Sequence, residues 1–181
     1  MRSLEEDEEI ERAIQYLVHS VESSGDNPKP VILHSIRVGM NLYDRDYEQQ
    51  IVVSGFLHDL LEDTAVTSDE IRSNFGKAVA TIVEATSFDE SIDDYLERHS
   101  DMYNRCFELG SSAVAVKAAD IVDNSDYYSI GDSEELQTNQ FEKMEYFIEN
   151  AEPYIGADDI YRELNDKFAT VKERVKSTIE S

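Results

Sequence analysis

The sequence has 181 residues, of which 40% are hydrophobic and only 3 are proline, so it can bury a sizeable core, and we expect one compact domain over residues 1–181. The formal net charge of −24 and the isoelectric point near 4.3 argue against nucleic acid and anionic membranes as direct partners, because phosphate groups attract Lys and Arg. No apolar run is long enough to span a bilayer and the acidic N-terminus is the opposite of a signal peptide, so we expect a soluble cytoplasmic protein.

Three explanations of the acidity remain open. They are a salt-adapted or highly soluble surface, a face for a basic protein partner, and in smaller part a cation site; a homo-oligomer is compatible with each. The lone Cys106 excludes an internal disulfide and fits a reducing compartment. Its neighbours Tyr103 and Phe107 indicate a core residue rather than a nucleophile.

The first part of the chain predicts three helices. Apolar residues at three- and four-residue spacing indicate an amphipathic helix from Leu4 to Val21. Residues Gly25–Pro30, with two prolines, must form a connecting loop. We expect a second helix from Val31 to Leu42 and a third from Tyr47 to Leu61.

Two short helices follow. Thr67 and Glu70 have the spacing of a capping box, in which the hydroxyl and the carboxylate satisfy each other's backbone N–H groups. The helix that they begin runs through Phe75 and is broken by Gly76. A second short helix covers residues 78–84.

The remaining sequence predicts four longer helices. We place them at residues 92–109, ended by Gly110, and at residues 111–128, 133–150 and 158–179. The apolar run 113–122 could be mistaken for a strand, but alternation is absent and alanine favours a helix. The fold class is therefore all-α, and no glycine-rich loop indicates a Rossmann or P-loop nucleotide site.

Residues 54–64 place a histidine and three carboxylates in an otherwise apolar stretch. The polar side chains are His58, Asp59, Glu62 and Asp63, between the apolar runs 51–53 and 65–66. An ionised carboxylate removed from water is costly unless it is paired, protonated or bound to a metal ion. A cation is therefore the simplest explanation of this stretch.

The spacing of these four residues supports a shared site. On a helix, Glu62 lies four residues after His58 and Asp63 lies four after Asp59, so the side chains form two adjacent rows. Such a cluster could hold a cation and present acid and base groups to a bound molecule. The alternative is a solvated acidic face.

Asp120 lies in the most apolar segment of the chain. A cation between this aspartate and the acidic cluster would satisfy both, and His34 is a further candidate ligand. His34, His58, Asp59 and Asp120 would make a mixed nitrogen and oxygen site, which suits Mn, Mg or Fe better than a structural zinc. Taken alone, His34 could also be an ordinary hydrogen-bonded residue near a helix start.

The order of these residues resembles the HD superfamily of metal-dependent phosphohydrolases. Residues 58–64 are similar to the HDxxEDT segment of the RelA/SpoT-type alarmone hydrolase domain, a family that includes stand-alone small hydrolases. Residues 30–34 are similar to its PYxxHP segment, residues 116–124 to its VKLADxxxN segment and residues 74–83 to its FG segment. The resemblance covers about residues 25–124 and implies an HD-type helical bundle, with more generic helices over residues 133–180.

The resemblance also implies functional roles. It implies that a divalent metal, most simply Mn, is held by His34, His58, Asp59 and Asp120. It implies that Glu62 and Asp63 activate or position the attacking water and that Asn124 contacts the nucleotide. The implied reaction releases pyrophosphate from the 3′ position of a guanosine alarmone.

The sequence departs from the family pattern at several basic positions. Gly25 and Asp26 stand where the family has a basic pair, Ser87 where it has a lysine and Ile121 where it has an arginine; Asp123 and Asp126 add negative charge. Fewer cations should weaken the binding of a polyphosphate, so a nucleotide with fewer phosphates or another phosphorylated metabolite is a further candidate. Lys117 and Arg37 are the nearest remaining cations for a substrate.

Two other classes of function remain open. One is a metal- or nucleotide-binding sensor, a hydrolase that has lost catalysis and whose acidic surface binds a partner. The other is a structural helical adaptor, in which the His and Asp residues are hydrogen-bonded core groups.

Overall fold

The computed structural model describes residues 2–25, 30–127 and 134–179. The helices are α1 (Leu4–Ser24), α2 (Val31–Tyr43), α3 (Gln49–Leu57), α4 (Leu60–Asp63), α5 (Ser68–Thr86), α6 (Tyr95–Leu109), α7 (Ser111–Asn124), α8 (Glu134–Ile155) and α9 (Asp159–Ile179), with a 3₁₀ turn at Ser125–Tyr127. Within the described ranges all regular secondary structure is helical, which confirms the all-α prediction. Most of the predicted 25–30 loop, including Asp26, lies outside the described residues, as do Tyr128 and Ser133.

Several helix ends follow the local signals in the sequence. The side chain of Thr67 accepts a hydrogen bond from the backbone N–H of Glu70, and the Glu70 carboxylate accepts from the backbone N–H of Thr67, so the predicted capping box is confirmed. Gly76 has a φ of 87°, which interrupts α5 where a break was predicted. Gly110, with a φ of 102°, ends α6.

Two helices form the centre of the molecule. Every residue of α3 from Ile51 to Leu57 is buried, and so is every residue of α7 from Ala113 to Val122. Helix α7 packs against α2, α3, α5, α6, α8 and α9. Because neighbouring helices cover residues 113–122 on all sides, this segment is apolar except for Lys117 and Asp120 and lacks the one-sided pattern of a surface helix. The Cys106 thiol is buried and donates to the carbonyl of Ala85, which confirms its role in the core.

Two glycines let α2 and α3 approach closely. A Cβ atom on Gly39 would lie 2.5 Å from the ring of Phe56, and one on Gly55 would lie 3.2 Å from the Cα of Gly39. This crossing brings the first turn of α2, which carries His34, towards the end of α3, where His58 lies. The glycines therefore help to set the spacing of the candidate site.

Replacing Gly39 with alanine should lower the free energy of unfolding by about 1–3 kcal/mol, because the new methyl group overpacks the crossing. Chemical denaturation monitored by circular dichroism measures this change. Met40→Ala, at the partly exposed neighbouring position, is the control and should change stability much less. Equal effects of the two substitutions would show that the crossing is not tight.

Some predicted boundaries are wrong. The predicted helix 47–61 is divided into α3 and α4, with His58 and Asp59 between them; Asp59 has ψ −6°, which loosens the turn, and its carbonyl accepts from the N–H groups of both Glu62 (3.2 Å) and Asp63 (2.9 Å). Helix α6 begins at Tyr95 rather than residue 92 because the side chain of Asp94 caps it. Helix α8 continues past residue 150 to Ile155.

Candidate metal centre and adjoining cavity

Four predicted ligand residues lie together at the junction of α2, α3, α4 and α7. His34 Nε2 is 3.2 Å from His58 Nε2, 3.2 Å from Asp120 Oδ1 and 3.5 Å from Asp59 Oδ2. His58 Nε2 is 3.2 Å from Asp59 Oδ1 and 3.6 Å from Asp120 Oδ1. All four residues are buried.

The outer nitrogens of both histidine rings make hydrogen bonds away from the cluster. Nδ1 of His58 donates to the carbonyl of Gly55 at 2.9 Å, and Nδ1 of His34 donates to the Asp123 carboxylate at 2.7 Å. An imidazole whose single proton is on Nδ1 points its Nε2 lone pair inward, and binding of a metal ion at Nε2 requires this form of both rings. Two nitrogen lone pairs and two carboxylates therefore converge on one point and repel one another unless a positive charge lies between them.

The raised pKa of His34 also shows that the surrounding charges favour a cation in this cluster. Burial by itself lowers the pKa of His34, but hydrogen bonds to Asp120 and Asp123 and the charges of Asp120 and Asp59 raise this pKa to about 10. Burial likewise opposes ionisation of Asp120, yet Lys117, His34 and His58 hold the pKa of this carboxyl well below its usual range. The cluster therefore keeps Asp120 ionised and favours a positive charge beside it.

The donor set fits a divalent metal ion. One ligand atom each from His34, His58 and Asp120 lies within 4.8 Å of the others, and Asp59 contacts both histidines. Imidazole nitrogen and carboxylate oxygen together suit Mn, Fe or Mg, and no thiolate is present among these residues. These four side chains would hold the ion.

Glu62 lies beside this cluster on α4. Its carboxylate accepts a hydrogen bond from the backbone N–H of Phe88 at 2.9 Å. Burial raises the pKa of Glu62 to about 7, with Lys117 opposing the shift and Asp59 and Asp120 adding to it. A carboxyl group that changes protonation near neutral pH can accept and release protons during a reaction.

A cavity of about 260 Å³ adjoins the cluster. Its floor includes Asp59, Glu62 and Asp120, and its opposite wall is formed mainly by α6 and α8. The lining residues of that wall are Tyr95, His99, Met102, Tyr103 and Lys143, with Phe88 beside them. The cavity therefore joins acidic groups on one side to aromatic rings and an ammonium group on the other.

Lys143 is the basic residue of the far wall. Its ammonium donates to the hydroxyl of Tyr95 at 2.9 Å and to Nε2 of His99 at 3.3 Å. Nδ1 of His99 donates to the carbonyl of Tyr95, so Nε2 is the acceptor. Burial and the charge of Lys143 lower the pKa of His99 to about 4, and burial lowers the pKa of Lys143 to about 8.

The other predicted site residues have different surroundings. Asn124 and Lys117 line the cavity, and both donate to Asp120, at 2.6 Å and 2.8 Å. Arg37 lies outside the cavity lining and makes two hydrogen bonds to Asp123, at 2.5 Å and 2.8 Å. Asp63 is half-buried and is not among the described residues that line the cavity.

The positions that depart from the family pattern are not equivalent. Ile121 lines the cavity and leaves an apolar surface there. Ser87 is buried, and its hydroxyl donates to the carbonyl of Val83. Gly25 follows α1, whereas Asp26 lies outside the described residues.

Sequence reasoning missed two groups of residues. Asp123 was noted only for its charge, although its spacing of three residues from Asp120 places both carboxylates on one face of α7. Lys143, His99 and Tyr95 carry no motif. The one available signal was a lysine next to the core positions of α8, Met144 and Phe147.

Comparison with known proteins shows the family. Residues 12–139 match the HD domain family. The chain is 27% identical over 166 residues to the guanosine-3′,5′-bis(diphosphate) 3′-pyrophosphohydrolase of Aquifex aeolicus, a match that covers 88% of this chain and 23% of that protein. It is 35% identical over 65 residues to the bifunctional (p)ppGpp synthase/hydrolase SpoT of Escherichia coli, covering 36% of this chain and 9% of that protein.

Solved structures show the same fold. A metazoan ortholog of SpoT, described as hydrolysing ppGpp, superposes with a TM-score of 0.77 at 19% identity and covers 94% of this chain and 97% of its own. A protein of Listeria monocytogenes superposes with a TM-score of 0.68 at 22% identity and covers 82% of this chain and 99% of its own. The chain spans less than a quarter of the length of the curated relatives that it matches. The match over residues 12–139, supported by these folds, shows that the chain belongs to the HD domain family.

Proposed function

We propose that this protein is a metal-dependent phosphohydrolase that acts on a nucleotide, and that a guanosine 3′-diphosphate alarmone is the first substrate to test. The observation that carries the proposal is the convergence of His34, His58, Asp59 and Asp120 on one point beside a cavity that contains Glu62. Curated relatives named as 3′-pyrophosphohydrolases support the choice of substrate.

The proposed reaction is hydrolysis of the bond between the ribose 3′ oxygen and phosphorus. A divalent cation, Mn in the simplest case and Mg or Fe otherwise, would lower the pKa of a bound water and stabilise charge on the phosphoryl oxygens. Glu62 accepts a proton from the attacking water and holds it at a carboxylate oxygen. The water oxygen forms the new bond to phosphorus, pyrophosphate leaves, and the 3′ oxygen takes up a proton.

The surrounding residues have supporting roles in this proposal. Lys117 and Asn124 fix the orientation of Asp120 and present polar atoms to the cavity. The aromatic residues Phe88, Tyr95 and Tyr103 give the cavity an apolar surface. In this proposal Asp63 positions the attacking water, and Arg37 is a cation at the margin of the site.

One observation favours a second candidate function. Both cations predicted to bind substrate are engaged by carboxylates, Lys117 by Asp120 and Arg37 by Asp123. A cavity with few available cations binds a polyphosphate weakly. A metal- and nucleotide-binding sensor without turnover, or a hydrolase of a less highly phosphorylated nucleotide, is therefore the alternative.

Lys143 should contribute to substrate binding through its charge. Replacing Lys143 with methionine should raise KM about 10- to 100-fold and change kcat less, because a hydrogen bond to a charged group is lost. Its ammonium contacts Tyr95 and His99 on α6. On α7, the charge of Asp120 raises the pKa of Lys143 and the charge of Lys117 lowers it. Since burial lowers the pKa of Lys143 to about 8, the ammonium is charged below this pH and KM should rise above it.

Steady-state kinetics from pH 6 to 10 on both proteins measures this prediction. The increase in KM above pH 8 should disappear in Lys143→Met. A variant whose KM and pH dependence match those of the unmodified protein would exclude Lys143 from substrate binding.

The test of the proposed function is release of phosphate and pyrophosphate from a panel of nucleotides, including guanosine tetraphosphate and nucleotides with fewer phosphates. Each is assayed with metal-stripped protein and after addition of Mn²⁺. Metal-dependent release identifies a hydrolase and its substrate class. Nucleotide binding with no release from any member of the panel would favour the sensor.

We extend the proposal to the organisation of the chain. A cluster of buried hydrophobic residues that runs from Ile10 to Val171 supports a single HD-type domain over residues 1–181. No helix in the part of the chain that the structure describes is both long and apolar enough to cross a bilayer. Three points remain predictions: a cytoplasmic location, the absence of a nucleic-acid partner, and the binding of a basic protein or a second copy of this chain to the acidic surface.

A further inference from the structure

Asp123 connects α7 to α2 at the edge of the candidate metal centre. Its Oδ2 atom accepts the Nδ1 proton of His34 at 2.7 Å, and both of its oxygens accept hydrogen bonds from Arg37. Arg37 lies on α2, three residues after His34, whereas Asp123 is on α7. The three side chains therefore form a hydrogen-bonded chain in the order Arg37, Asp123, His34.

This hydrogen-bonded chain determines which nitrogen of His34 can bind a metal ion. An imidazole binds a metal through a nitrogen that carries no proton, and an acceptor at the other nitrogen fixes the proton there. Asp123 accepts at Nδ1, so Nε2 is the nitrogen that faces His58 and Asp120 and would bind a cation. The carboxylate also makes the ring a stronger donor to a cation than a neutral acceptor would.

The two histidines differ in this respect. The Nδ1 proton of His58 is held by the backbone carbonyl of Gly55, which is neutral and belongs to the same helical segment. The Nδ1 proton of His34 is held by the ionised side chain of Asp123, which, unlike a backbone carbonyl, can be altered by substitution. Of the two groups that accept from the Nδ1 atoms of the histidines, only Asp123 is therefore a side chain.

We propose that Asp123, held in place by Arg37, is a positioning residue that orients His34 and sets the affinity of the cluster for a divalent cation. The inference rests on the proposed metal-dependent function. It reaches beyond that function because it assigns a role to a carboxylate that would not itself be a ligand, and gives Arg37 a role other than substrate binding.

The test is Mn²⁺ affinity, measured by electron paramagnetic resonance of free Mn²⁺ in titrations of metal-stripped protein without substrate. Asp123→Asn keeps the size of the side chain but removes its charge, and it should weaken Mn²⁺ binding about 10- to 100-fold. Arg37→Met leaves the carboxylate without its guanidinium partner and should have a smaller effect in the same direction.

The chain offers a matched control. Arg45, after α2, forms an ion pair at 2.6 Å with Glu163 on α9 that touches neither histidine. Glu163→Gln removes a comparable link between helices and should leave Mn²⁺ affinity unchanged. Equal Mn²⁺ affinities of Asp123→Asn and Glu163→Gln would overturn the inference, because Asp123 would then be only a structural link.

A second readout does not depend on metal. Long-range ¹H–¹⁵N spectra of the histidine side chains should show a strongly downfield Nδ1 proton on His34 in the unmodified protein, because of its short hydrogen bond to Asp123, and loss of that downfield shift in Asp123→Ala. An unchanged His34 spectrum in a folded Asp123→Ala protein would contradict the positioning role. If the unmodified protein binds no Mn²⁺, the proposed function fails together with the inference; if it binds Mn²⁺ and Asp123→Asn binds equally well, only the inference fails.

Discussion

Replacing Asp120 with alanine should abolish divalent-cation binding and turnover together, and should lower the free energy of unfolding by about 3–5 kcal/mol. Asp120 contacts both histidines of the cluster and also accepts from the ammonium of Lys117 at 2.8 Å. Lys117 is itself buried, so the substitution leaves a buried positive charge without the carboxylate that it contacts. Mn²⁺ titration, nucleotide turnover and denaturant unfolding measure the three effects.

The control for Asp120 is another aspartate that pairs with a lysine. Asp126 and Lys167 lie 2.5 Å apart, but the Asp126 side chain is 61% exposed. Asp126→Ala should therefore change stability by less than about 1 kcal/mol and leave metal binding intact. If Asp120→Ala retained Mn²⁺ affinity, the cluster would not be the metal site, whatever its effect on stability.

Replacing Glu62 with glutamine should reduce turnover by roughly 10²- to 10⁴-fold while Mn²⁺ affinity stays within a few-fold of normal. Glutamine keeps the size of the side chain but cannot accept a proton from water. The carboxylate lines the cavity next to Asp59 and Asp120 and is held by the N–H of Phe88. Single-turnover kinetics under saturating Mn²⁺, together with a metal titration, separates loss of chemistry from loss of metal.

The exposed Glu90 supplies the control for this substitution, and Glu90→Gln should leave both quantities unchanged. An active Glu62→Gln protein would transfer the role of base to another group, with Asp63 the first candidate. Loss of Mn²⁺ binding in Glu62→Gln would instead mean that this carboxylate helps to hold the cation.

Local features of the sequence predicted much of the fold. The capping box at Thr67 and Glu70, the helix break at Gly76 and the end of α6 at Gly110 each depend on residues within one or two turns, and all three predictions are confirmed. The assignment of the run 113–122 as a helix is confirmed as well. Its apolar character has a tertiary cause, since neighbouring helices cover α7 on all sides.

The features that sequence reasoning missed depend on contacts between distant segments. Spacing brought His58, Asp59 and Glu62 into one hypothesis, but it did not indicate the break between α3 and α4, where Asp59 lies 3.5 Å from His34 on α2. Asp123 meets His34 across 89 positions of sequence. The far wall of the cavity is formed by side chains of α6 and α8, and no local pattern indicates that these side chains face the cluster.

The most direct test is a titration of metal-stripped protein with Mn²⁺ while pyrophosphate release from guanosine 3′,5′-bis(diphosphate) is followed in the same samples. The account predicts no release without metal, and release that rises in proportion to occupancy of the site formed by His34, His58, Asp59 and Asp120. Release by metal-free protein, at a rate unaffected by Mn²⁺ or by Asp120→Ala, would contradict it.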